Sequence, residues 1–229
     1  MLTLAIDTAT AGVVVGLVDV DVDVTVDVTV DVVDSTHVLG ERRTDGPARH
    51  GESLAPAIAA VLAETGHPPA ELAAVVVGTG PGPFTGLRVG MVSAAAIGDA
   101  LGIPVYGVCS LDAVALGLPD SRGTTVVVTD ARRREVYWAT YRDGERVDGP
   151  HVSSPADLLP GPAADRVVGG GAVLYGLPGA VHAGPTAAGL VAAARHARVE
   201  RRPPAPLRAA YLRRPDAVEP AARAPAGLP

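Results

Sequence analysis

Residues 78–90 read GTGPGPFTGLRVG, a glycine-rich loop between the apolar run LAAVVV and a long alanine-rich stretch. Strand, glycine turn and helix in succession are a common way to build a phosphate cradle. The spacing argues against that use here. A P-loop closes on Gly-Lys-Ser/Thr, and the chain contains no lysine. Counting a dinucleotide fingerprint from Gly78 or Gly80 puts Pro83 or Thr85 where the third glycine belongs. Pro81 and Pro83 also remove two backbone N–H donors from the stretch that would grip an anion. A helix starting at Thr85 could still attract one, so phosphate gripping is a weak reading.

The same glycines make a packing device. Gly86, Gly90, Ala94 and Gly98 are spaced by four and lie along one helix face, where another backbone can approach closely. Leu87, Met91, Val92 and Ile97 lie on the other faces and suit a core. Each glycine costs about 1 kcal/mol in a helix interior, so the stripe calls for a compensating contact. Either it packs on the neighbouring helix of residues 50–66, or the two helices together present a surface to a partner. In the second case His50, Leu54, Ile58 and Leu62 supply the other half of that surface.

Other residues could do chemistry, and each has a plainer use. Asp7, Thr8 and Thr10 end a strand where phosphate and metal could be handled, yet an aspartate there also caps its own turn. Asp130 and residues 132–134, all arginine, precede another strand and read as a solvated turn. Residues 169–171, centred on Gly170, could approach an adenosine or simply turn the chain. His50 is followed four residues later by Leu54, so that helix face offers one imidazole and no metal pair. Cys109, the single cysteine, has no basic neighbour in sequence and reads as a buried thiol. No catalytic residue and no metal site is expected.

The elements that must position these residues follow from composition and pattern. The 229 residues are 48% hydrophobic but only 3% aromatic, so Val, Ala and Leu build the core. All 19 basic residues are arginine, and the net charge is −6. Residues 1–119 carry 4 arginines against 14 acids, and residues 120–229 carry 15 against 11. The chain as a whole lacks the basic footprint of a free-standing RNA binder. One cysteine excludes an internal disulfide and fits a reducing compartment. MLTLAID has no basic leader region, and no apolar run approaches the ~20 residues of a membrane span, so a soluble cytoplasmic protein is expected.

TLAID and GVVVGLV predict two strands joined by a short turn. Residues 19–34 form a low-complexity insertion, alternating valine with aspartate or threonine as far as Val32 and expected to lengthen a hairpin. Strand neighbours at i and i+2 sit nearly 7 Å apart with no glycine to fold them round an ion, so a solvated acidic face is favoured over a calcium site. Helices are predicted over 50–66 and 85–102, with strands between and after them. A Val-rich strand ending in aspartate recurs at Asp7 and Asp130, a faint internal repeat suggesting two related lobes. The expected organisation is a first lobe over 1–106, a second over 107–214 and an aperiodic tail over 215–229.

IDTAT, HGESLAPAI, GTGPGPFTGLRVG, SLDAVA, DARRREVYWATY, VVGGGAVLY and YLRRPDA occur in one order along about residues 1–214. Together they resemble the TsaB family, bacterial subunits needed to make threonylcarbamoyladenosine in tRNA. The Asp/Val insertion and the Pro-rich tail depart from it. The resemblance implies a two-lobed α/β fold of the ASKHA (actin-like ATPase) type, with mixed sheets flanked by helices. It implies a non-catalytic scaffold that docks TsaD, the subunit transferring threonylcarbamoyl from threonylcarbamoyl-AMP to the adenosine beside the anticodon. TsaE, an ATPase, joins that complex. No cofactor is firmly held by the subunit itself, ATP or ADP belongs to the complex, and tRNA is met only through it. When alone the subunit would form a homodimer. The competing readings are a stand-alone ASKHA-type kinase or glycoprotease-like enzyme, and a self-associating protein with no TsaD role.

Overall fold

Alternation of side chains about the strand axis sorts the first sheet into two faces. The computed structural model describes residues 1–21, 35–44, 50–158, 164–195, 197 and 203–213. β1 (Leu2–Asp7) sends Leu4 and Ile6 into one apolar cluster and Ala5 into another on the opposite face. β2 (Val13–Asp21) and β3 (Ser35–Thr44) continue from it antiparallel, and β4 (Ala74–Gly78) and β5 (Val105–Val108) run parallel to it. The order is β3-β2-β1-β4-β5. β4 reads AVVVG, apolar throughout, because helices cover both of its faces.

One face is covered by α1 (His50–Thr65) and α2 (Phe84–Leu101), which bring Leu54, Val61, Leu62 and Ala94 onto Leu4, Ile6, Val75 and Val77. α2 stops at Gly102, whose φ of 65° makes it a left-handed cap. By length and composition α2 could cross a bilayer, but it lies on the first sheet with five residues buried. The other face receives α3 (Ser110–Leu116) and α5 (Ala187–Ala193). α3 is apolar on nearly every side because it lies between two sheets: Ala113 joins the first-sheet cluster, and Leu111, Val114 and Ala115 join the second.

The second sheet contains β6 (Thr124–Asp130), β7 (Val136–Arg142), β8 (Glu145–Ser153), β9 (Arg166–Val168) and β10 (Ala180–Val181), in the order β10-β9-β6-β7-β8. α4 (Gly170–Leu174) covers its outer face. Each sheet has the lobe's first strand at its centre, an antiparallel hairpin on one side and parallel strands on the other. Asp7 and Asp130 end the two central strands, so the sequence repeat has a structural counterpart. The expected two-lobed α/β class is the one observed.

The lobes are less separable than the boundary at 106 implies. That boundary cuts β5, and α5, from the second half of the chain, supplies part of the cover on one face of the first sheet. Residues 203–213 cross back over both lobes, with Leu207 packed on the first core and Leu212 on the second. β2 and β3 pair as far as Asp21 and Ser35. Most of the predicted 19–34 insertion and the whole 215–229 tail lie outside the described residues.

Candidate docking surface and interlobe cleft

The turn after β1 decides what the small-residue stripe is for. Thr8 is fully buried; its Oγ1 donates to the Gly86 carbonyl (2.7 Å) and accepts from the Gly90 N–H (3.1 Å). A Cβ at Gly90 would overlap the Thr8 hydroxyl, one at Gly86 the Thr8 carbonyl and one at Gly98 the Val105 side chain. The stripe is therefore filled by the protein's own chain, which corrects two expectations at once. Gly86, Gly90, Ala94 and Gly98 present no surface, and their main neighbours are the β1 turn and β5 rather than α1 alone.

On α1, Leu54 and Leu62 are corrected in the same way. Leu54 is 2% exposed and Leu62 is buried beside it, each gaining about 1.5–3 kcal/mol from that burial. Ile58 is half-buried against the same cluster. His50 is half-buried, with its Nε2 3.0 Å from the Thr10 carbonyl. Hydrophobic spacing identified the buried stripe correctly, but a buried stripe cannot also be the exposed one.

What α2 does expose lies on its opposite side. Phe84, Arg88, Val92, Ala95, Ala96 and Asp99 follow each other at helical spacing, and all are exposed. Val92, expected in the core, is 67% exposed because Leu87 and the glycine stripe take the sheet-facing positions. Phe84 is 54% exposed. Its ring stacks on Tyr211 at 5.4 Å, and the Arg88 guanidinium lies 3.6 Å over its centroid. α1 covers the same sheet face and leaves Ala55, Pro56 and Ala59 exposed beside it. Phe84, Arg88 and Tyr211 escaped the sequence reading, although both the FTGLR and YLRR motifs contain them.

Asp7 is sealed beneath this layer. It is fully buried and accepts from the Ala9 N–H (2.9 Å) and from Ser110 Oγ (2.5 Å). Ser110 in turn accepts from the Gly80 N–H at 3.2 Å. A Cβ at Gly78 would overlap the Asp7 carboxylate, which explains why β4 ends in glycine. Burial pushes the Asp7 carboxyl up to about 6, with Ser110, Ala9 and His50 opposing the rise. Asp7 and Thr8 are thus unavailable to a nucleotide, which corrects their candidacy; both are occupied in holding the β1 turn against α2 and α3.

Between the lobes lies a cavity of about 420 Å³, lined by Thr10, Arg43, Asp130, Arg132, Gly170 and His182 among others. Of the nucleotide candidates, Thr10, Gly170 and Gly171 line it, and Asp7 and Thr8 do not. Asp130 accepts from the Arg132 N–H (2.9 Å) and the Tyr175 hydroxyl (3.1 Å). Arg132, Arg133 and Arg134 all have positive φ, so the turn that follows β6 is a strained one. Among the described residues no three His, Cys, Asp or Glu side chains gather as metal ligands. Burial raises the Cys109 thiol to about 11, so it stays protonated at neutral pH.

A family model described as TsaD, tRNA N6-adenosine threonylcarbamoyltransferase, matches residues 46–212. The chain belongs to this family. An uncharacterised protein of Mycobacterium tuberculosis is 53% identical over 93% of this chain and 92% of its own length. A second, from Mycobacterium leprae, is 52% identical over 94% of this chain, which spans only 56% of that longer protein. Within the family the chain is TsaB-like. The Escherichia coli tRNA threonylcarbamoyladenosine biosynthesis protein TsaB is 35% identical over 43% of this chain and 44% of its own. A Pseudomonas aeruginosa crystal structure, described as similar to peptidase YeaZ, superposes with a TM-score of 0.67 at 26% identity. That match covers 90% of this chain and 99% of the other.

Proposed function

We propose that this TsaB-like chain works in threonylcarbamoyladenosine biosynthesis as a non-catalytic scaffold that docks a TsaD-family partner through the outer sides of α1 and α2. The observation that carries the reading is the exposed stripe Phe84–Arg88–Val92 on a helix whose other side is rigidly set into the core. Exposed aromatic and arginine side chains on a fixed support have the composition of an interface hot spot. The sealing of Asp7 by Ser110 and Ala9 supports the non-catalytic part, since a fully buried strand-end carboxylate is shut off from a substrate. In this reading TsaE joins the assembly, ATP or ADP is held at the complex, tRNA is met only through it, and the protein works in the cytoplasm. Without its partner, the same apolar stripe pairs two copies.

Val92→Arg tests this directly. Val92 is two-thirds exposed, so the variant should keep the wild-type thermal midpoint. Calorimetric titration with the TsaD protein of the same organism should show affinity reduced about tenfold or more. Unchanged affinity would move the docking site elsewhere.

A further inference from the structure

Residues 203–213 are an extended strap with contacts on both lobes and on the exposed stripe. Leu207 packs on the first core, where it closes over Gly107 of β5. The Ala210 N–H donates to the Thr79 carbonyl at 2.8 Å, fixing the strap to the end of β4. Tyr211 then turns onto α2: its ring stacks on Phe84, and its hydroxyl accepts from Arg88 Nε at 3.0 Å. Two residues later, Arg213 donates through Nη1 to the Ala131 carbonyl (3.1 Å) and pairs through Nη2 with Glu135 at 2.9 Å. Those two residues flank the strained arginine turn between β6 and β7.

We infer that the docking surface is composite: Tyr211 of the strap, stacked with Phe84 and Arg88, is part of the surface that receives the TsaD-family partner, and Arg213 holds it there from the second lobe. The inference rests on the docking reading above. A side chain that only tied down a loop would be buried, but Tyr211 is 47% exposed and Phe84 more so. Their stack is a flat, pre-ordered apolar platform, which loses little conformational freedom on binding. Arg88 uses Nε on Tyr211 and its guanidinium face on Phe84, and its Nη donors have no acceptor among the described residues. The matching partner surface is an apolar helix face carrying a carboxylate, which a guanidinium can bind through two parallel hydrogen bonds. Arg213 touches none of this platform. It acts by fixing the strap, so the second lobe has a say in whether the platform is assembled.

The test is the affinity of the full chain for its TsaD partner, measured for Tyr211→Ala, Tyr211→Phe, Arg213→Gln and the Val92→Arg control, with a thermal midpoint for each. Tyr211→Ala should weaken binding about tenfold, and Tyr211→Phe, which keeps the stack but frees Arg88, about threefold. Arg213→Gln should also weaken it about threefold while keeping a cooperative melt. If Val92→Arg weakens binding and all three strap variants bind as wild type, the composite surface is wrong and simple helix docking stands. If Val92→Arg binds normally too, the docking reading itself has failed. Loss of the chain's own dimer with an intact TsaD complex would make a second copy the occupant, which also overturns the inference.

Discussion

Gly90→Leu will not yield a folded monomer with a blunted interface; it will lower the stability of the monomer by about 3 kcal/mol or more, about 6–12 °C in the thermal midpoint. The isolated sequence suggests the opposite, because a glycine stripe on an apolar helix reads as a surface awaiting a partner. In the fold, Thr8 already occupies that surface. Its hydroxyl accepts from the Gly90 N–H and donates to the Gly86 carbonyl. Even a methyl group at position 90 would overlap Thr8 Oγ1, and the overlapped atom sits on a fully buried turn that cannot swing away. Leucine must therefore push α2 off the β1 turn or break both hydrogen bonds, leaving buried polar groups unpaired at about 1–3 kcal/mol each. Differential scanning calorimetry of the isolated chain reads this without any partner. A variant with the wild-type midpoint and reduced TsaD affinity would restore the stripe as the interface.

The second large effect is a pH dependence carried by Asp7. Its folded-state carboxyl is raised from 3.8 to about 6, chiefly by burial, so the folded protein takes up this proton before the unfolded chain does. Stability from this group is therefore fully present below about pH 4, is lost as pH rises towards 6, and is flat above that. The ionised form costs about 3 kcal/mol at neutral pH. This runs opposite to the usual paired carboxylate. Asp7→Asn removes the ionisation while keeping an acceptor for Ala9 or Ser110. The difference in unfolding free energy between variant and wild type should therefore grow by about 3 kcal/mol in favour of asparagine between pH 3 and pH 7. Denaturant titrations of both proteins across that range measure it, and taking the difference cancels the other carboxylates. Parallel curves would mean that Asp7 ionises as an exposed carboxylate does.

These two cases show where sequence reading ends. The apolar runs in TLAID and LAAVVV place two strands of the first sheet, and the recurrence of a strand-end aspartate at 7 and 130 anticipates two lobes of like topology. Helical spacing shows which α2 residues share a face. It cannot show which face turns inward, because the deciding atom belongs to Thr8, 78 residues away from Gly86 in the chain. The same limit hid the platform on α2, where Phe84 and Arg88 meet a tyrosine more than a hundred residues later. It hid the cleft as well, whose wall is assembled from residues near 10, 43, 130, 170 and 182. Asp7 was legible as a special carboxylate, but its chemistry depends on Ser110 and on burial, and neither is written beside it.

The cover that α5 lays over the first sheet has a consequence for synthesis on the ribosome. All five strands of that sheet have been made once Val108 has been added, and Ala5, Val18, Val20 and Val76 then form an apolar face. The residues that cover it, Ala187, Leu190, Val191 and Ala194, come about 80 positions later, a delay of about 4–16 s at ordinary elongation rates. During that interval the nascent chain carries a formed or forming sheet with one side covered only by α3. A translation pause before residue 187 would prolong that exposure, and one after residue 194 would not. Where synthesis slows thus matters to the yield of this protein, and holdase chaperones have a defined stretch of the nascent chain to bind.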